Sequence, residues 1–312
     1  MMCVACFNTR GTLIHHKTKK PVPLMPHLLR RLQEAGWQIR VTTRSGADAA
    51  EELLCPVYRE AKIPPKSIKI AADLTDKAKY VRCLIDGGAT DVVFVDDNPT
   101  QVESVQKFGQ GRRDAVVRVF GFLGSIRVPK AYARCVNAGA KRAMTAIDLS
   151  EQLESWFSYE SVLPTLSFDD VIELIPGLQH PMSTAGGESQ LVPGFIFARW
   201  TDLSADQLNR VWMNVGLVQC DRCMWYLIVR LALTESGHPR FLAALEGAHD
   251  VEKCMLALKE ALPTVHNLGR RLNNGLDLML AGVKSIGANG IADIEGRIAM
   301  NKQRVQELLG GF

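Results

Sequence analysis

The chain has 312 residues, 47% hydrophobic and 22% charged, a balance that excludes a disordered or fibrous chain and suffices for two packed domains. Eight cysteines in that length do not make a disulfide scaffold, and no apolar run approaches the ~20 residues that span a bilayer. The net charge of +4 hides a division, 24 Lys/Arg against 13 Asp/Glu in residues 1–147 and 13 against 20 in residues 148–312, which suits the first region to a polyanionic partner or to attraction by the second.

In chain order, apolar runs at Met2–Phe7, Gln38–Thr42, Ser67–Ala71, Asp91–Val95 and Ala115–Phe120 predict buried strands. Helical patterns lie between them at Pro26–Ala35, Ala47–Arg59, Asp76–Ile85 and Thr100–Phe108, with Gly36 and Gly87 as stop signals. Such alternation implies an α/β domain over residues 1–147, a Rossmann-like doubly wound parallel sheet. Residues 148–191, with Pro164, Pro176 and Pro181, read as an irregular linker or bridge holding one short helix near Phe168–Ile175. Residues 192–312 read as a mainly α-helical domain, with Ser204 capping Ala205–Gly216. Further helices are expected at Val218–Ser236, Pro239–Leu245, Val251–Leu262, Val265–Ile286 and Ile291–Leu309. The last carries a seam of Ile291, Ile294, Ile298, Asn301, Val305 and Leu308, better suited to packing in a bundle than to a coiled coil of so few heptads.

Met1–Phe7 has no basic segment before it and runs into a polar turn, so a soluble cytoplasmic protein is expected. Two Cys-x-x-Cys pairs occur, Cys3/Cys6 and Cys220/Cys223. A spacing of three on a strand sends side chains to opposite faces, so buried reduced thiols are expected there rather than zinc.

The chemistry-bearing residues gather at predicted strand ends. The first strand runs Cys3-Val4-Ala5-Cys6-Phe7 into Asn8-Thr9-Arg10-Gly11-Thr12-Leu13. The second ends in Val41-Thr42-Thr43-Arg44-Ser45, Lys77 (or Lys79) stands near a helix start, and Val92-Val93-Phe94-Val95 ends in Asp96-Asp97-Asn98-Pro99. In an open parallel sheet these loops converge on one crevice, where a carboxylate pair, a hydroxyl and a lysine suit Mg²⁺ and a phosphoryl group. Each residue also has a plainer reading: Asp96 and Asp97 as a turn and helix cap, Thr42 as a strand-end residue, Lys77 as a solvated charge.

Over about residues 1–125 this order resembles the haloacid dehalogenase-like hydrolases, of the type without a large cap domain. That family places Asp-x-Asp-Gly-Thr-Leu after its first strand; here Gly11-Thr12-Leu13 is kept and Asn8 and Arg10 replace the aspartates. The resemblance implies that Thr42, Thr43 and Lys77 hold the phosphate, and that Asp96 and Asp97 hold a metal if one is bound. An amide cannot be the aspartyl nucleophile, and a guanidinium cannot shuttle a proton at neutral pH. The expectation is therefore a catalytically inactive pseudoenzyme that binds or scaffolds, with the helical domain mediating protein partners or self-association and no cofactor, Mg²⁺ being the exception to allow for. Arg10 is expected to pair with Asp96 and Asp97 in place of the metal. Two other readings stay open: a Mg²⁺-dependent phosphohydrolase with an altered site acting on a large phosphorylated substrate, and nucleic-acid binding through the basic N-terminal domain. The basic flap His15-His16-Lys17-Thr18-Lys19-Lys20-Pro21 suits a phosphate-bearing polymer, though a solvated turn is the blander reading.

Overall fold

The computed structural model describes residues 2–122, 134–135, 137–155, 162–178, 191–218, 221–236, 251–286 and 292–310. The chain divides into two compact units, Met1–Phe157 and Ser158–Phe312. The first contains β1 (Met2–Asn8), α1 (Met25–Glu34), β2 (Gln38–Thr42), α2 (Ala47–Ala61), β3 (Lys69–Ala71), α3 (Lys77–Asp86), β4 (Ala89–Asp96), α4 (Pro99–Gln110), β5 (Val116–Phe122), β6 (Lys141–Ala143) and α5 (Ala146–Gln152).

The six strands form one sheet in the order β3-β2-β1-β4-β5-β6, and every pairing is parallel. Residues 2–71 build outward from β1 to β3, and the path then returns to lay β4 on the other flank of β1. This reversal leaves a crevice beyond the carboxyl ends of β1 and β4, where an open α/β sheet places its ligands. Register fixes what reaches it: Asn8 lies beside Thr42, and Phe7 beside Val95. The central strands are apolar on both faces because helices cover both, and Val4, Ala5, Cys6, Phe7, Val92, Val93, Phe94 and Val95 are all fully buried.

Local chemistry sets the helix ends. After α1, Gly36 takes a left-handed φ of 86°, and Trp37 N donates to Leu32 O while Gly36 N donates to Gln33 O, closing the free carbonyls. After α3 the left-handed residue is Gly88, with φ of 98°, rather than Gly87. Asp76 caps α3 by accepting from Ala78 N and Lys79 N. Asn98 caps α4 by accepting from Thr100 N and Gln101 N, with Pro99 in the first turn. The cap is thus Asn98, which leaves Asp96 and Asp97 for other contacts.

No sequence pattern announces β6 or α5, and the first unit continues past the expected boundary at residue 147 to Phe157. Lys141-Arg142-Ala143 offers no apolar run, and β6 exists because its backbone pairs with β5. On α5, Asp148 is buried and accepts from Met144 N and Gln152 Nε2. Burial, with Asp148 nearby, pushes the carboxyl of half-buried Glu151 up to about 7. A carboxyl raised in the fold favours the folded state fully below its unfolded value of 4.5, and that contribution is lost as pH rises through about 7. In urea denaturation Glu151 should contribute a fall of about 1 kcal/mol between about pH 5 and pH 8, allowing for solvent screening, and Glu151→Gln should flatten the pH profile by that amount.

In the second unit the described helices are α6 (Phe168–Glu173), α7 (Leu191–Ala198), α8 (Ala205–Val215), α9 (Asp221–Glu235), α10 (Val251–Ala261), α11 (Leu268–Ile286) and α12 (Ala292–Gly310). Ser204 and Gln207 form a reciprocal capping box on α8. Gly275 and Gly282 let α11 press against α8, since a Cβ at Gly275 would meet the Trp212 ring at 2.7 Å. The α12 seam is buried at Ile298, Asn301 and Val305, and Asn301 Oδ1 accepts from the indole of buried Trp225 at 2.9 Å. Ile291, the expected helix at Pro239–Leu245, Pro181 and Cys220 lie outside the described residues. No helix among the described residues is long and apolar enough to cross a membrane.

Candidate functional site

Lys77 opens α3 yet is buried, because its backbone N–H donates to Gln101 Oε1 and its side chain runs beneath the ends of β1 and β4. Its ammonium donates to Asp96 Oδ2 at 2.7 Å, Asn8 Oδ1 at 2.8 Å and Thr42 O at 3.3 Å. Three donors meet three acceptors, so the ammonium is fully used within the fold.

Asn8 continues the chain of contacts. With Oδ1 facing an ammonium, its Nδ2 must face the other way, and it donates to Arg10 O and Asp97 Oδ1, both at 2.6 Å. Asp97 Oδ2 lies 2.8 Å from His16 Nε2, and Asp96 Oδ1 accepts from Asn98 N at 2.8 Å. All four carboxylate oxygens of the acidic pair therefore have a donor or a histidine nitrogen against them. The hydrogen bond to Asp97 holds the His16 imidazole above its usual value, favouring the imidazolium. Asp96 is fully buried, and desolvation raises its carboxyl while Lys77 opposes the rise.

Arg10 does not pair with the aspartates. It is exposed, and what it contributes inward is its carbonyl, the acceptor for Asn8. The cation on Asp96 is Lys77, and Asp97 is met by Asn8 and His16. The expected Arg10 pairing fails because the turn directs that side chain to solvent while the lysine already fills the space beneath.

The remaining expected phosphate-binding residues are turned inward. Thr42 is fully buried, its hydroxyl donating to Phe7 O at 3.4 Å, and buried Thr43 Oγ1 accepts from Ser45 N at 3.1 Å. In the turn itself, Thr9 Oγ1 and Thr12 Oγ1 are buried and have no hydrogen-bond partner among the described residues, a cost of about 1–3 kcal/mol each.

Gly11 completes the closure. Its φ is +84°, and a Cβ there would lie 2.1 Å from Asp97 Oδ2 and 2.6 Å from His16 Nε2. Gly11→Ala combines backbone strain with a collision against half-buried Asp97 and the exposed His16 ring, so denaturation should show a loss of about 2–4 kcal/mol.

The arrangement does not fit Mg²⁺. A hard divalent ion needs several oxygens facing one point, whereas here an amide nitrogen and an ammonium face the carboxylates. Among the described residues no group of three or more His, Cys, Asp or Glu side chains is placed to hold a metal. Cys6 is buried, which pushes its thiol up to about 12, and Cys3 is half-buried.

His16, Gln101 and Asn98 join the site without having been singled out as ligands. Gln101 has no sequence signal, and His16 has only its place in a flap following the first strand. Fold and site together define an all-parallel, doubly wound α/β unit with a self-bonded polar cluster at the switch point of its sheet. The chain matches no family model, no curated protein and no solved structure.

Proposed function

We propose that the first unit is a haloacid dehalogenase-like scaffold that has given up phosphoryl transfer and serves in binding, with the helical unit as the part that engages protein partners or a second copy. The observation that carries this reading is the Asn8 side chain, bonded at once to Lys77, Asp97 and the Arg10 carbonyl. In the family it resembles, that position attacks phosphorus as a carboxylate. A carboxamide has no anionic oxygen to offer, and this one already uses its oxygen to hold the lysine. The neighbouring general acid/base position holds Arg10, which stays protonated. Removal of nucleophile and acid/base together takes away covalent catalysis and proton transfer at once.

The test is hydrolysis of an aryl phosphate by the purified full chain with Mg²⁺, compared with Asp96→Asn. The reading requires no turnover above the uncatalysed rate in either protein. Turnover abolished by the substitution would contradict it and return the site to enzymology.

A further inference from the structure

The crevice has a second, exposed layer. Beyond the buried cluster, the same edge of the sheet presents Arg10 two residues past β1, Arg44 two residues past β2, and Lys17, Lys19 and Lys20 on the flap, all exposed. The acids beneath are already occupied, Asp96 by Lys77 and Asp97 by Asn8 and His16, so they do not neutralise this rim. The exposed acids nearby are Asp48 in the first turn of α2 and Asp73, two residues past β3.

The flap is held in shape. His15 N donates to Lys20 O, Lys19 N to His15 O and Val22 N to Leu13 O, and His16 ties the flap to the end of β4. Lys19 sits at φ 56°, in the left-handed region where glycine or asparagine is cheaper. A lysine there costs backbone energy and returns no buried contact, since it is exposed. Its charge, and those of Lys17 and Lys20, are displayed on a fixed turn beside Arg10.

We propose that this rim binds the phosphodiester backbone of a nucleic acid by charge rather than by sequence. A row of phosphates, spaced a few ångströms apart, meets several of these cations at once, and affinity then comes from counterion release. Sequence-tolerant stacking and bidentate base reading rely mostly on large aromatic, amide and guanidinium side chains, and the flap carries no Trp, Tyr, Phe, Asn, Gln or Arg. The inference rests on the binding role proposed above and names its partner.

The experiment measures fluorescence anisotropy of the full chain with a labelled mixed-sequence DNA of about 30 nucleotides, single-stranded and duplex, between about 50 and 200 mM salt. Lys17→Glu/Lys19→Glu/Lys20→Glu should weaken binding at least tenfold and flatten the salt slope by about 2–3, given 0.7–0.9 per phosphate contact. Lys62→Glu/Lys66→Glu/Lys69→Glu changes the same charge on exposed residues at the opposite end of β3, and should leave affinity within about threefold. Whichever DNA form binds more tightly identifies the source of the phosphodiester. Equal loss in the two triple variants, no retention of either DNA, or retention of a phosphoserine peptide in place of DNA would overturn the proposal. If DNA is not retained while the aryl phosphate also stays unhydrolysed, this inference fails and the loss of catalysis stands.

Discussion

Lys77→Met should destabilise the first unit by about 3–5 kcal/mol, read as a fall in the urea midpoint with little change in slope. The magnitude follows from what remains. Asp96 is fully buried, and without the ammonium at 2.7 Å its carboxylate keeps only the backbone N–H of Asn98. Asn8 Oδ1 and the Thr42 carbonyl lose the same donor. A buried pair contributes little net stability, but breaking it from one side strands a desolvated charge. Lys77→Met/Asp96→Leu should therefore recover a large part of the loss, because it removes both charges. If Lys77→Met costs no more than an exposed substitution, the ammonium is not buried in the arrangement described.

The second large effect is expected from Asn8→Asp, a change of one nitrogen to one oxygen. The amide nitrogen now lies 2.6 Å from both Asp97 Oδ1 and the Arg10 carbonyl. With an oxygen there, two carboxylates and a carbonyl face one point, and the attraction becomes repulsion. In metal-free buffer the variant should lose about 1–3 kcal/mol, comparable to leaving a buried polar contact unsatisfied. The same three oxygens suit a hard cation that completes its shell with water. Mg²⁺ at a hundred times its dissociation constant should then restore about 2.7 kcal/mol, seen as a thermal shift that NaCl of matched ionic strength does not reproduce. The wild-type chain should show no such shift. A variant indifferent to Mg²⁺ would mean that the amide does not occupy a cation's position.

Much of the first unit was legible because parallel strands covered on both faces must be continuous apolar runs. The runs at Met2–Phe7 and Gln38–Thr42 correspond to β1 and β2 within a residue, and Ala47 begins α2 as expected. Helix ends were legible where a single residue carries the cap, as at Gly36 and Ser204. What escaped were elements whose existence depends on a neighbour. β6 has three residues, two of them basic, and its evidence is the hydrogen bonding to β5. α5 is two turns long, too short for periodicity to show.

The site divides in the same way. Strand ends place Asn8, Thr42, Asp96 and Asp97 together because register is a property of the sheet, and Lys77 joins them from the first turn of α3. Which cation reaches Asp96 is not a property of the sheet. Position points to Arg10 for Asp96 and gives Lys77 to a phosphate, whereas the lysine takes the carboxylate because a turn sends Arg10 outward and an aliphatic stem reaches beneath β1. His16 and Gln101 depend on how the flap folds back and how α4 meets α3, and neither leaves a spacing to read.

The crevice is closed by its own residues, with the Asn8 amide where a cation would otherwise be needed. Calorimetric titration of the purified wild-type chain with MgCl₂ tests it most directly. No saturable heat is expected in the millimolar range, with wild type and Asp97→Asn indistinguishable. Saturable binding by the wild type that Asp97→Asn abolishes would contradict it.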